Sequence, residues 1–115
     1  MGASLLPIVA HAAPVPSVAK IQTIYDHSVR GDAYFNTQLR AEMRQMGLRF
    51  VKDRKRADVI LDSSGNGTKD GGFRATMTLR DRAGRLVWRE SVARPSGSRV
   101  MAFERLGDKL RAARK

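Results

Sequence analysis

Outside the amino-terminal stretch His27 is the sole histidine, so any Ser/His/Asp relay would have to be built on it. Asp26 stands beside it, but neighbours on an extended strand point to opposite faces, and no serine lies in the sharp strand-to-helix turn that exposes a nucleophile. His27 therefore reads as a surface loop residue, and no catalytic residue is assigned. Asp58, Asp62, Asp70 and Asp81 fit no calcium-loop spacing and stand among more numerous cations. Asp58 reads as a cap or ion-pair partner at the start of a strand, Asp81 as the brace of a turn. The glycine-rich run from Gly65-Asn66-Gly67 to Gly71-Gly72 lacks the Gly-Lys-Ser/Thr that leads a phosphate-binding loop into a helix. Arg30-Gly31-Asp32 matches an adhesion tripeptide, but Asp32 is explained as a helix cap. The sequence contains no cysteine, which removes disulfides, thiolate zinc sites and lipid attachment through Cys. No metal or cofactor is expected.

The chemistry that remains is electrostatic. Twenty-two Lys and Arg against 11 Asp and Glu leave a formal charge of +11 on 115 residues. That charge implies long-range attraction to an acidic protein, anionic lipid headgroups or nucleic acid. Lys52, Arg54, Lys55 and Arg56 crowd one connection, where like charges repel unless they are solvated or partnered. Arg74 and Arg80 share the solvent side of one strand, and Arg82, Arg85 and Arg89 lie in or after the following turn. These residues form the candidate partner-binding set, pictured as an exposed cationic sheet face. Sheets that bind single-stranded nucleic acid interleave aromatic platforms with such cations, whereas the outward positions here offer Arg and Thr, and Trp88 is expected to be buried.

The element that displays most of this set is a hairpin. Phe73, Ala75, Met77 and Leu79 alternate with Arg74, Thr76, Thr78 and Arg80, which predicts a strand with one apolar and one solvated face. Asp81-Arg82-Ala83-Gly84 turns the chain into a second strand over residues 85–92. Upstream, β-branched residues predict a strand over 18–25. Asp32 caps a helix predicted over 33–46, with Phe35, Leu39, Met43 and Met46 on one side, Arg40, Arg44 and Gln45 in solvent, and Gly47 as the stop. Short strands follow at 48–51 and from Ala57, the latter apolar enough to be central and covered on both faces. Residues 63–72 read as a mobile connection. Arg94-Pro95 breaks the last strand. Ser98 then caps a closing helix with Phe103, Leu106, Leu110 and Ala113 on one face. The fold class is α+β, a mixed sheet of four to five strands with two helices on one face, in the order β-α-β-β-β-β-α.

The helix Phe35-x-x-x-Leu39-x-x-x-Met43, the exit Gly47-Leu48-Arg49-Phe50-Val51, the strand Ala57-Asp58-Val59-Ile60-Leu61 and the segment Asp81-x-x-Gly84-Arg85-Leu86-Val87-Trp88 resemble small bacterial envelope α/β domains. These include the periplasmic domain of CsgG-like secretion proteins, the TolB amino-terminal domain and related secreted proteins of similar layout. The resemblance spans residues 18–113 and implies a non-enzymatic interaction or assembly domain, periplasmic or secreted. A cytoplasmic nucleic-acid-binding module that uses phosphate contacts is the alternative. Residues 5–12, followed by Ala13-Pro14, read as the distal half of a secretory signal, with Ala10 and Ala12 at the small-residue positions. Residues 1–17 are accordingly expected to be a signal remnant or disordered arm, and 18–115 a single domain. No run approaches the roughly 20 apolar residues that span a bilayer. The oligomeric state is left open.

Overall fold

The structure, a computed structural model, describes residues 14–28, 30–94 and 99–115. The cleavage-site residues of the expected signal and the expected Ser98 cap lie outside the described residues. Among these, the chain forms β1 (Thr23–Asp26), α1 (Ala33–Gln45), β2 (Arg49–Phe50), β3 (Val59–Gly67), β4 (Phe73–Arg80), β5 (Leu86–Arg94) and α2 (Arg99–Ala113). The sheet order is β2-β1-β3-β4-β5. β1 runs parallel to β2 and β3, while β4 is antiparallel to both β3 and β5. The helices pack on each other and on the same side of the sheet. This is the α+β fold and element order that the sequence predicts.

Local chemistry explains where each element starts and stops. The carboxylate of Asp32 accepts from the Phe35 amide at 2.8 Å, capping α1 at the expected place. Gly47, with φ near 90°, takes the left-handed conformation that ends it. The first strand is shorter than predicted, because Val18–Lys20 form a 3-10 turn. Arg114 from the end of α2 donates to the carbonyls of Val18 (3.1 Å) and Ile21 (2.9 Å), which occupies backbone oxygens a longer strand would need.

β3 is longer than predicted and absorbs half of the segment read as mobile. Ser63 and Gly65 fall on the same side as Val59 and Leu61, facing the helices, where only small residues fit. A Cβ on Gly65 would lie 2.7 Å from the Phe73 ring and 2.8 Å from the Phe35 ring. Gly31, with φ near 80°, meets Gly65 backbone to backbone, and the Asp32 amide donates to the Gly65 carbonyl at 2.8 Å. The remaining connection is a hydrogen-bonded turn in which Thr68 binds the carboxylate of Asp70 and accepts from the Gly72 amide.

The core lies between the sheet and the helices. Phe35, Leu39 and Met43 of α1, Phe103, Leu106 and Leu110 of α2, and Phe73, Ala75, Met77 and Leu79 of β4 are all buried, as the periodicities predict. Each large side chain so buried contributes about 1.5–3 kcal/mol. Trp88 is partly buried against this core. Three expectations are corrected. Ala113, in the last turn of α2 beyond Leu110, is exposed. Arg40 is half-buried rather than solvated, drawn onto the Asp26 carboxylate at 2.6 Å. The helices cover only one face of β3, and Ile60 on the other face is buried between its register neighbours Tyr25 and Arg80.

Candidate functional site

Among the described residues the second face of the sheet carries no helix. Its outward side chains form rows across the strands: Tyr25, Ile60, Arg80 and Leu86; then Asp62, Thr78 and Arg89; then Ser64, Thr76 and Ser91; then Asn66, Arg74 and Ala93. Arg74, Arg80 and Arg89 therefore point outward as expected, but they do not form a continuous cationic face. Six residues of strand rise separate Arg74 from Arg80, about 20 Å. The middle of the face is a hydroxyl patch in which Thr76 and Ser91 lie 3.2 Å apart.

The cations gather instead at one end of the sheet. Arg54–Arg56 form a 3-10 turn whose start is braced by Asp53, which accepts from the Lys55 amide at 2.9 Å. Asp58 accepts from the amides of Gln22 (2.8 Å) and Thr23 (3.1 Å) and so fastens the basic turn to the start of β1. The turn between β4 and β5 reaches the same place. Its brace, as expected, is Asp81, which accepts from the amides of Ala83 (3.0 Å) and Arg85 (2.9 Å) and from Arg85 Nε at 2.7 Å. Burial pushes the Asp81 carboxyl upward, but the Arg85 amide and guanidinium and the Ala83 amide outweigh it and hold the group below its ordinary value.

A hydrogen bond joins the two turns. Arg82 Nη1 donates to the Lys55 carbonyl at 2.7 Å. Around it stand Arg54, Arg56, Arg80 and Arg85, and Arg80 donates to the Gly84 carbonyl at 3.2 Å. Lys52 leads into the cluster from the β2 side. A cavity of about 410 Å³ opens here, lined by Pro14, Pro16, Asp58, Asp81, Arg82 and Arg85, among others. The structure thus brings Arg54, Lys55, Arg56, Arg80, Arg82 and Arg85 together, sets Arg89 in mid-strand and leaves Arg74 at the far end.

The remaining candidates are dispersed. His27 is exposed, with its amide bonded to the Leu61 carbonyl. Asp62 sits on the open face and Asp70 in the β3–β4 turn, and among the described residues no three His, Cys, Asp or Glu side chains gather. Sequence reasoning missed one polar cluster. Ser63 Oγ donates to Asn36 Oδ1 at 2.8 Å and lies 3.0 Å from Ser28 Oγ, while Asn36 Nδ2 donates to the Arg30 carbonyl at 2.9 Å. Its members satisfy one another and dock the first turn of α1 on β3, which is a structural task. The parity of β3 was the signal that could have revealed it.

Fold and site together define a small α+β sheet domain with one helix-covered face, one open face and a basic end. No known sequence family and no curated protein matches the chain. Among solved structures it is similar to a PelC dodecamer from Paraburkholderia phytofirmans, with a TM-score of 0.52 at 16% identity over 87% of this chain and 90% of that one. It is also similar to an uncharacterised lipoprotein B from Nitrosomonas europaea (TM-score 0.45, 12% identity, 85% of this chain and 84% of that one). A DUF4136 family protein from Bacteroides thetaiotaomicron has a TM-score of 0.44 at 12% identity, over 85% and 86%. At these identities the likeness is one of fold. The neighbours include a lipoprotein and a dodecamer, and among the described residues no helix is long and apolar enough to cross a membrane.

Proposed function

We propose that this chain is a non-enzymatic interaction or assembly domain of the bacterial envelope, periplasmic or secreted, that docks an anionic partner at the basic end of its sheet. The kinship to CsgG-like and TolB amino-terminal domains belongs to the same reading. The observation that carries it is the Arg82–Lys55 bond, which fuses two basic turns into one cationic surface. The carboxylates of Asp53, Asp58 and Asp81 accept from backbone amides there, and Asp53 and Asp81 also pair with Arg56 (3.8 Å) and Arg85 (2.7 Å), so Lys52, Arg54, Lys55, Arg80 and Arg82 are the cations in excess of carboxylate. A PelC protein of this fold forms a dodecamer, and an assembly role is proposed for this chain on that fold.

The test is co-sedimentation with vesicles of phosphatidylglycerol and phosphatidylcholine, beside an acidic protein and a single-stranded oligonucleotide. At about 1 kcal/mol per cation near an anionic surface, the variant Arg54→Gln/Lys55→Gln/Arg82→Gln should bind anionic vesicles roughly 100-fold more weakly. Undiminished binding by that variant overturns the proposed site. Preference for the oligonucleotide, with affinity falling steeply in salt, would favour the nucleic-acid alternative. Fusion of the natural amino-terminal region to a reporter that matures only after export tests the compartment, and failure to export refutes it.

A further inference from the structure

The two edges of the sheet are unequal. β2 closes one edge with two residues, whereas β5 leaves nine residues along the other with no strand beyond it among the described residues. An edge of that length presents a row of backbone donors and acceptors that a further strand can pair with. What could occupy it is set by the side chains that flank it.

On the open face the flank is Arg89, opposite Thr78, and Arg74, opposite Ala93. On the helix face it is Arg94 and α2. Arg94 Nη2 meets the sulfur of Met101 at 3.8 Å, and among the described residues its Nε has no hydrogen-bond partner. A thioether is a weak acceptor, so the Arg94 guanidinium keeps its charge and outer donors for a carboxylate. A cavity of about 450 Å³ opens between Arg74, Ala93 and Arg94. Asp70 also lines it, with its carboxylate bonded by Thr68 and drawn toward Arg74, which leaves Arg94 as the surplus cation of this cavity. Further along, Lys109 Nζ donates to Glu90 at 3.0 Å, which engages the one carboxylate of β5. Exposed Arg105 lies on the same flank of α2, four residues from both Met101 and Lys109.

A second copy of the chain is a poor occupant. A twofold antiparallel pair centred on Arg89 or Glu90 would set that charge against itself, and would bring the Arg105 flanks of two α2 helices side by side. We infer that the outer edge of β5 accepts an extended acidic segment of another protein as a sixth strand, with its carboxylates seated on Arg89 and Arg94. Because these two arginines point to opposite faces, the segment needs acidic residues on both of its faces, spaced as the arginines are. Backbone pairing supplies affinity and the paired charges supply the choice of partner. This surface is separate from the basic end, so the two proposals can fail independently.

The experiment measures fluorescence polarisation of the labelled peptide Thr-Val-Glu-Thr-Val-Thr-Val-Glu-Thr-Val, with hydrogen exchange on the protein. The expected result is saturable binding, slowed exchange confined to β5, and about tenfold or greater weakening by Arg89→Gln/Arg94→Gln and by N-methylation of alternate peptide amides. Near-ultraviolet circular dichroism of Trp88 checks that the variant is folded. Equal binding of the N-methylated peptide overturns the inference, since charge alone would then suffice. So does loss of the peptide by Arg54→Gln/Lys55→Gln/Arg82→Gln in place of the β5 pair, absence of saturable binding, or a β5-dependent dimer in sedimentation.

Discussion

β4 shows two different proteins on its two sides. Phe73, Ala75, Met77 and Leu79 are between 0% and 4% exposed under the helices, while Arg74, Thr76, Thr78 and Arg80, interleaved with them, look onto solvent. One side is constrained by packing at the density of an organic crystal, where a methyl group more or less is felt. The other is bound by strand propensity, by the backbone pairing it shares with β3 and β5, and by exposed side-chain bonds such as those of Thr76 with Ser91 and of Arg80 with the Gly84 carbonyl. The difference separates tasks by parity: stability is carried on the covered side, and recognition can change on the open side without disturbing the fold.

The largest effect that would test this separation lies under the helices. Phe35 is fully buried, with its ring 5.7 Å from that of Phe73. Phe35→Ala should cost about 3–5 kcal/mol in urea unfolding; a loss under about 1 kcal/mol would mean that the covered side is not closely packed. Next comes Gly65→Ala, which drives a methyl group into two aromatic rings at 2.7–2.8 Å. Overpacking of that kind should cost about 1–3 kcal/mol. A neutral result would show that residues 63–67 are the mobile connection that their composition suggests.

That second variant marks where the sequence stopped being legible. The hairpin was readable because its alternation is local, and α1 because Asp32, its apolar stripe and Gly47 lie within one short stretch. Ser63 and Gly65 carry the composition of a loop, and what makes them strand residues is the pair of rings from Phe35 and Phe73, which no short-range pattern reports. The site has the same character. Each cation can be picked out from the sequence, but Lys55 and Arg82 meet across 27 positions because Asp58 and Asp81 fold two turns toward each other. Side-chain parity put Arg74 and Arg80 on one face correctly and said nothing about their separation.

Asp81 brings an effect of intermediate size, and one that depends on pH. Above the ordinary aspartate value of 3.8 its carboxylate is charged in both the folded and the unfolded chain, and its bonds to the turn stabilise in full. As the pH falls below that value the unfolded chain takes up the proton first, so stability drops until the lowered native group is protonated as well. Asp32, held down chiefly by the Phe35 amide, acts in the same direction. Urea midpoints should therefore decline below about pH 4, and Asp81→Asn should flatten part of that decline. An unchanged slope in the variant would mean that the turn is not braced by this charge.

The smallest effect is expected on the open side, and it sharpens the comparison most. Arg89→Ser removes an exposed cation opposite Thr78 and keeps a residue suited to a solvated strand face. Its urea midpoint should correspond to a change within about 0.5 kcal/mol. A loss as large as that of Gly65→Ala would show that the open face is also held by packing, and that something in the folded chain covers it. With stability unchanged, any loss of binding in this variant can be read as loss of a contact and not of the fold. That is the condition under which charge replacements at β5 and at the basic end report on partners.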